Sequence, residues 1–165
     1  MRAIFIVLII ILTAIVIALK KTIARHERPY KAMPLLTNTE QNFYQALKAA
    51  TSPNIHICPK VRLRDLVEIT YSRQDRRWWQ HHGAITQKHV DFVLCDRADL
   101  KVLAVVELND STHLRRARQE RDELVAKVLQ SAGIRLINIP ARRTYNSEDL
   151  ATTLAIENDS TRQLA

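Results

Sequence analysis

Residues 88–96, KHVDFVLCD, followed after a five-residue turn region by residues 102–113, VLAVVELNDSTH, decide how this chain reads. Two apolar, β-like runs each carry one acid where an ordinary buried strand has none: Asp91 interrupts V-D-F-V-L, and Glu107 ends L-A-V-V-E-L. Continuous apolar runs of this length read as central strands covered on both faces. An ionised carboxylate there costs several kcal/mol unless it is paired or binds a metal. Acids on adjacent strands can meet at one point, and a divalent cation is the commonest way to satisfy such a pair. The alternative is a carboxylate salt-bridged to one of the arginines or capping a turn.

Working outward, residues 54–61, NIHICPKV, alternate as an earlier strand, and Pro59 places it at a sheet edge or beside a bulge. Ahead of it, Thr37 or Thr39 caps a helix with Glu40 in its first turn and an apolar face of Phe43, Leu47 and Ala50. Residues 65–71 read as a short helix or turn. Residues 72–87 read as a polar insert, with Arg76, Arg77, Trp78, Trp79, His81 and His82 clustered before Gly83. A long helix is expected over about 114–132, ended by Gly133. Residues 134–139, IRLINI, form a last core strand stopped by Pro140, and Asn146 caps a short helix over 147–154. The tail from Glu157 is polar.

At the other end, residues 3–19 carry no charge. Seventeen residues at 1.5 Å each span about 25 Å, the short end of a transmembrane helix. A cleaved signal peptide is the competing reading, but the run exceeds the usual apolar core of roughly 7–15 residues and no A-x-A site comes after it. Instead, Lys20, Lys21, Arg25, Arg28 and Lys31 flank the run on its C-terminal side, against Arg2 and the terminal amine on the other. By the positive-inside rule this predicts a single-pass membrane protein with its C-terminal domain in the cytoplasm. The expected organisation is an anchor at 1–20, a basic linker at 21–35, a domain at 36–155 and a polar tail at 156–165. Residues 21–165 hold 23 Lys and Arg against 17 Asp and Glu, which favours contact with nucleic acid or anionic lipid without choosing between them. Cys58 and Cys95 lie far apart with no CxxC, so they read as reduced structural thiols, with no zinc site.

The order of elements, with an acid on the second main strand and another at the end of the third, resembles the PD-(D/E)xK nucleases. Within that superfamily the chain is most similar to the uncharacterised DUF2726 group. The matching pieces are LTNTE at 36–40, KVRL at 60–63, KHVDFVLCD at 88–96, VELNDSTH at 106–113, RD at 121–122 and AGIRLINIPA at 132–141. The piece E-L-N-D-S-T-H also looks like the E-x-D-G-x-x-H signature of very-short-patch-repair-like endonucleases. The resemblance implies a restriction-endonuclease-like α/β fold: an αβββαβ core with a mixed sheet, here preceded by one transmembrane helix. It also implies Mg²⁺-dependent (or Mn²⁺-dependent) hydrolysis of phosphodiester bonds in DNA. Asp91 and Glu107 would be the metal ligands with the backbone carbonyl of Leu108, and Glu40 an acid acting through a metal-bound water. Such ions prefer oxygen ligands and keep several waters, so two or three carboxylates suffice.

Position 109 departs from the pattern. The superfamily's usual lysine is Asn109, on the same strand face as Glu107 by the two-residue period, and an amide neither acts as a base nor offsets phosphate charge. His113, just past the strand end, is the natural substitute because imidazole titrates near neutrality; Lys88 is a second candidate. Arg118 and Asp122 share one face of the long helix, where Arg118 or Arg121 would hold phosphate or simply form a surface ion pair. Lys60, Arg62 and Arg64 read as phosphate contacts or as a solvated strand edge. Trp78 and Trp79 read as base-stacking groups or as packing for the insert. Two rival functions stand beside the nuclease. One is a catalytically silent module of the same fold that binds nucleic acid or a protein partner at the membrane. The other is a domain whose basic residues meet anionic lipid.

Overall fold

A computed structural model describes residues 1–26, 29–109 and 116–154, with backbone alone at 22–26 and 116–118. The chain divides into two compact units, Met1–Pro34 and Leu35–Ala165. The first contains α1 (Arg2–His26). Its segment Arg2–Lys21 is 20 residues long, roughly 30 Å, and is long and apolar enough to cross a membrane. The helix continues six residues beyond the expected anchor boundary at 20. Nothing in KTIARH breaks a helix, and the first proline is Pro29.

The second unit runs α2 (Asn38–Ala50), β1 (Ile55–Arg62), a single 3-10 turn at Leu63–Asp65, α3 (Arg76–Ile85), β2 (His89–Asp96), β3 (Val102–Asn109), α4 (Arg116–Ser131), β4 (Leu136–Pro140) and α5 (Ser147–Leu154). The strands form one mixed α/β sheet in the order β1-β2-β3-β4. β1–β2 and β2–β3 are antiparallel, whereas β3 and β4 are parallel and joined through α4. The two acid-bearing strands are therefore the central ones, and Pro59 lies on an edge strand, as its missing N–H requires.

Helices cover both faces of this sheet. On one face Phe43 and Leu47 of α2, with Leu150 and Leu154 of α5, pack on Ile57, Phe92, Leu94, Ala104, Val106, Ile137 and Ile139. On the other, Ile85 of α3 with Val125 and Leu129 of α4 pack on Val90, Val93, Cys95 and Val105. Ala104, Val105 and Val106 alternate between the two clusters, the period-two signature of a strand buried on both sides. Phe43 fixes α2 to the sheet through ring contacts with Phe92 at 5.4 Å and Tyr145 at 5.0 Å. Burying a side chain of this size contributes about 1.5–3 kcal/mol.

Local sequence explains the ends. Thr37 caps α2 in a full capping box: its hydroxyl accepts from the Glu40 N–H at 3.3 Å, and Glu40 Oε2 accepts from the Thr37 N–H at 2.9 Å. Asp96 starts the β2–β3 turn, its carboxylate accepting from the Ala98 N–H at 2.7 Å. Cys58 and Cys95 are free thiols, as expected. Burial, with Cys58 close by, pushes the Cys95 thiol up to about 11, which leaves it protonated and inert.

Two expectations change. The short helix or turn expected at 65–71 is a 3-10 turn set slightly earlier, at Leu63–Asp65, and residues 67–70 form no regular element. The polar insert contains a ten-residue helix, α3, capped by Asp75 and running through Gly83. Its pattern is weak in sequence because only Trp78 and Ile85 are buried on it.

The chain's two glycines should respond to alanine with opposite signs. Gly133 ends α4 at φ +68° with open space around the missing Cβ, so Gly133→Ala should lose about 1 kcal/mol through backbone strain alone. Gly83 sits inside α3 with no atom near its missing Cβ, so Gly83→Ala should gain up to about 1 kcal/mol. Equilibrium denaturation of both variants checks the pair.

Candidate functional site

The β2–β3 ladder ends at Phe92↔Val106. One step further the same register sets Asp91 opposite Glu107, and there backbone pairing gives way to a side chain. The Leu108 N–H donates to Asp91 Oδ2 at 3.0 Å. Odd-numbered β3 residues turn their backbone toward β4, since Val105 N–H donates to the Arg135 carbonyl and Ala141 N–H to the Asn109 carbonyl. Leu108 therefore turns both its N–H and its carbonyl toward β2 and Asp91. The backbone oxygen expected to assist a metal is on the Asp91 side.

Glu107 is the strained member. Its Oε1 is buried and has no hydrogen-bond partner among the described residues. Burial, then the neighbouring Asp91 carboxylate, raises its pKa to about 8, with Arg121 of α4 opposing and Asp122 adding to the shift. At neutral pH Glu107 thus keeps its proton. Beside Glu107 in the parallel register stands Asn138, whose side-chain oxygen accepts from Asn109 Nδ2 at 3.2 Å. The amide that replaces the expected lysine is tied to β4.

Lys60 is where the structure adds most. It lies on β1 between the pairs Pro59↔Phe92 and Val61↔Val90, facing Asp91, and takes a left-handed φ of +55°. That conformation costs roughly 1–2 kcal/mol for a residue with a Cβ. Its ammonium donates to Asp91 Oδ1 at 3.3 Å and to Glu40 Oε1. Burial works against the charges of both partners, yet hydrogen bonding and charge outweigh it. The Lys60 pKa is raised by Glu40 and Asp91, and the Glu40 pKa is lowered by Lys60 and Thr37. Glu40 thus has both oxygens engaged, one at the helix cap and one on Lys60. It reaches Asp91 through the lysine. In sequence Lys60 reads only as a phosphate contact or a solvated edge; the signal pointing further is the proline before it, which marks an irregular strand opposite the acid.

The other expected residues are spread around these acids. Arg121 Nη2 donates to the His89 carbonyl at 3.3 Å, which holds this guanidinium on the Glu107 side of the sheet. Arg62 pairs with Asp65 at 2.9 Å on the surface. Lys88 shares backbone hydrogen bonds with Leu63 and Ile85, and among the described residues no ion pair joins it to these acids. Trp78 is buried and stacks on His82 at 4.6 Å; Trp79 is exposed, with its indole N–H on the Arg73 carbonyl at 3.0 Å. His113 lies outside the described residues, as does the Arg118 side chain.

Among the described residues no group of three His, Cys, Asp or Glu side chains is arranged to hold a metal. The donors present are Asp91, Glu107 and the Leu108 carbonyl, all oxygens, with one buried carboxylate oxygen lacking a partner. A hard divalent ion that retains waters, such as Mg²⁺ or Mn²⁺, fits this donor set.

Because the folded-state pKa of Glu107 lies above its ordinary 4.5, its contribution to stability is fully present below about pH 4.5 and is lost as pH rises toward 8. Glu107→Gln should therefore be more stable than the wild type above pH 8 in the absence of divalent ions, by roughly 1 kcal/mol or more. The advantage should vanish near pH 4. Chemical denaturation across that range measures it.

No curated protein and no solved structure is similar enough to match this chain. Residues 32–157 match the family described as "Protein of unknown function (DUF2726)". With most of its length so matched, the chain belongs to the DUF2726 family.

Proposed function

We propose that this protein is a membrane-tethered, divalent-ion-dependent nuclease of restriction-endonuclease-like type that hydrolyses phosphodiester bonds in DNA. The observation that carries this reading is the buried, partnerless Glu107 oxygen beside Asp91, at the point where two covered strands stop pairing. Natural folds rarely leave such a group unsatisfied without use. Further support comes from the helix–three-strand–helix–strand order, interrupted by α3 between β1 and β2, from the Leu108 backbone turned toward Asp91, and from a net basic chain.

Asp91, Glu107 and the Leu108 carbonyl would hold Mg²⁺ or Mn²⁺. The bound ion would polarise a phosphate oxygen and lower the pKa of an attacking water. Glu40 fixes Lys60 beside Asp91, and Arg121 lies where a phosphate approaching Glu107 would meet its charge. His113 is the proposed proton-transfer or positioning group. Lys60, Arg62, Lys88, Arg118 and Arg121 are the proposed contacts to nucleic acid.

A second reading is favoured by Asn109, whose amide is tied to Asn138. It makes the domain a silent nuclease-fold module that binds nucleic acid or a protein partner without cutting. For either reading, α1 would anchor the chain with its domain in the cytoplasm. Lys20, Lys21, Arg25, Arg28 and Lys31 come after the apolar segment, against Arg2 before it.

The full chain in detergent should bind Mg²⁺ or Mn²⁺ by calorimetry and cut DNA only with the ion present. Asp91→Asn should abolish both. Binding of DNA without cleavage at any ion concentration selects the silent module, and absence of ion binding removes the hydrolase. If His113 transfers a proton, His113→Ala should slow cutting by roughly 10²–10⁴ and leave ion binding intact. A C-terminal reporter active on only one side of the membrane should report the cytoplasm, and a signal from the other side overturns the orientation.

A further inference from the structure

We propose that Lys60 is the resident cation of this site: it supplies from β1 the positive charge that position 109 withholds, and a divalent ion must take Asp91 from it. The inference rests on the two-acid metal site proposed above and adds a residue to it.

Three observations converge on Lys60. Its ammonium touches two carboxylates that come from different elements, Glu40 on α2 and Asp91 on β2. Its backbone is held in the left-handed region, where a lysine on a strand has no intrinsic reason to be. The neighbouring groups do not replace it on Asp91: Asn109 is an uncharged amide tied to Asn138, and Arg121 donates to the His89 carbonyl and acts from α4 on Glu107.

The geometry also says what happens when Asp91 is claimed. Glu40 is anchored by the Thr37 N–H at 2.9 Å, so Lys60 keeps one carboxylate partner if it loses the other. An ammonium has three donor hydrogens. Two go to the acids, and no third partner is present among the described residues. The side chain is 30% exposed, so a phosphodiester oxygen from solvent can reach the remaining donor. Lys60 thus passes from counter-ion of the empty acids to donor toward the phosphate.

The test is Mn²⁺ affinity of the full chain in detergent, measured calorimetrically for the wild type, Lys60→Gln and Lys60→Arg, with DNA cleavage at saturating Mn²⁺ beside it. Removing a competing cation from a partly exposed carboxylate should tighten Mn²⁺ binding by roughly three- to tenfold in Lys60→Gln. Lys60→Arg keeps the charge and should stay near the wild-type affinity. Cleavage by Lys60→Gln should drop by about a hundredfold or more despite the tighter ion, as loss of a donor aimed at developing charge implies. Equal or weaker Mn²⁺ binding by Lys60→Gln overturns the inference, as does undiminished cleavage; both leave the metal site standing. If neither the wild type nor Lys60→Gln binds Mn²⁺, the metal site fails and this inference falls with it.

Discussion

Two carboxyl groups share a covered position. Asp91 and Glu107 stand opposite each other one step beyond the last β2–β3 pair, and the fold surrounds them with apolar layers on both sides. Burial, then the neighbouring Asp91 carboxylate, disfavours ionising Glu107, which holds its proton to about pH 8. Asp91 is relieved by the Leu108 N–H and by Lys60; Glu107 is left with one buried oxygen, Oε1, that has no hydrogen-bond partner among the described residues. The arrangement is unfavourable for a scaffold and suited to a site that takes up positive charge.

The rest of the domain is organised so that this point cannot relax. Phe92, next to Asp91, is fully buried and in ring contact with Phe43 of α2, which registers the helix against the strand. The same helix starts with the capping box that orients Glu40, and Glu40 in turn fixes Lys60. A local helix-start signal is thereby coupled to the electrostatics of a distant strand. On the opposite face α4 brings Arg121 and Asp122 toward Glu107 with contrary effects on its charge. The edge-strand proline and the left-handed Lys60 let β1 depart from regular geometry opposite Asp91.

Much of this is legible in the sequence because it stems from periodicity and burial. Two apolar runs with one acid each mark the central strands, and Thr37, Gly133 and Asn146 mark helix boundaries that hold to within a residue or two. α3 is hidden because a helix that buries only Trp78 and Ile85 looks polar throughout. α1 outruns the expected anchor because helix continuation depends on the absence of breakers, whereas charge bounds the anchor. The ion pairs of Lys60 are barely legible, with Pro59 as their one local sign, because they depend on a tertiary meeting of α2, β1 and β2. His113, expected from sequence to stand in for a lysine at position 109, lies outside the described residues, and Lys60 is the cation paired with Asp91 and Glu40.

The central claim is that Glu107 is held protonated by burial and by Asp91 until a divalent ion relieves the pair. Carbon-13 NMR of the Glu107 side-chain carboxyl, assigned by the Glu107→Gln difference spectrum, tracks that proton directly as pH is varied. The account predicts a midpoint near 8 without divalent ions and a shift to well below neutrality in saturating Mg²⁺. A midpoint at the ordinary glutamate value, unmoved by Mg²⁺, would contradict it.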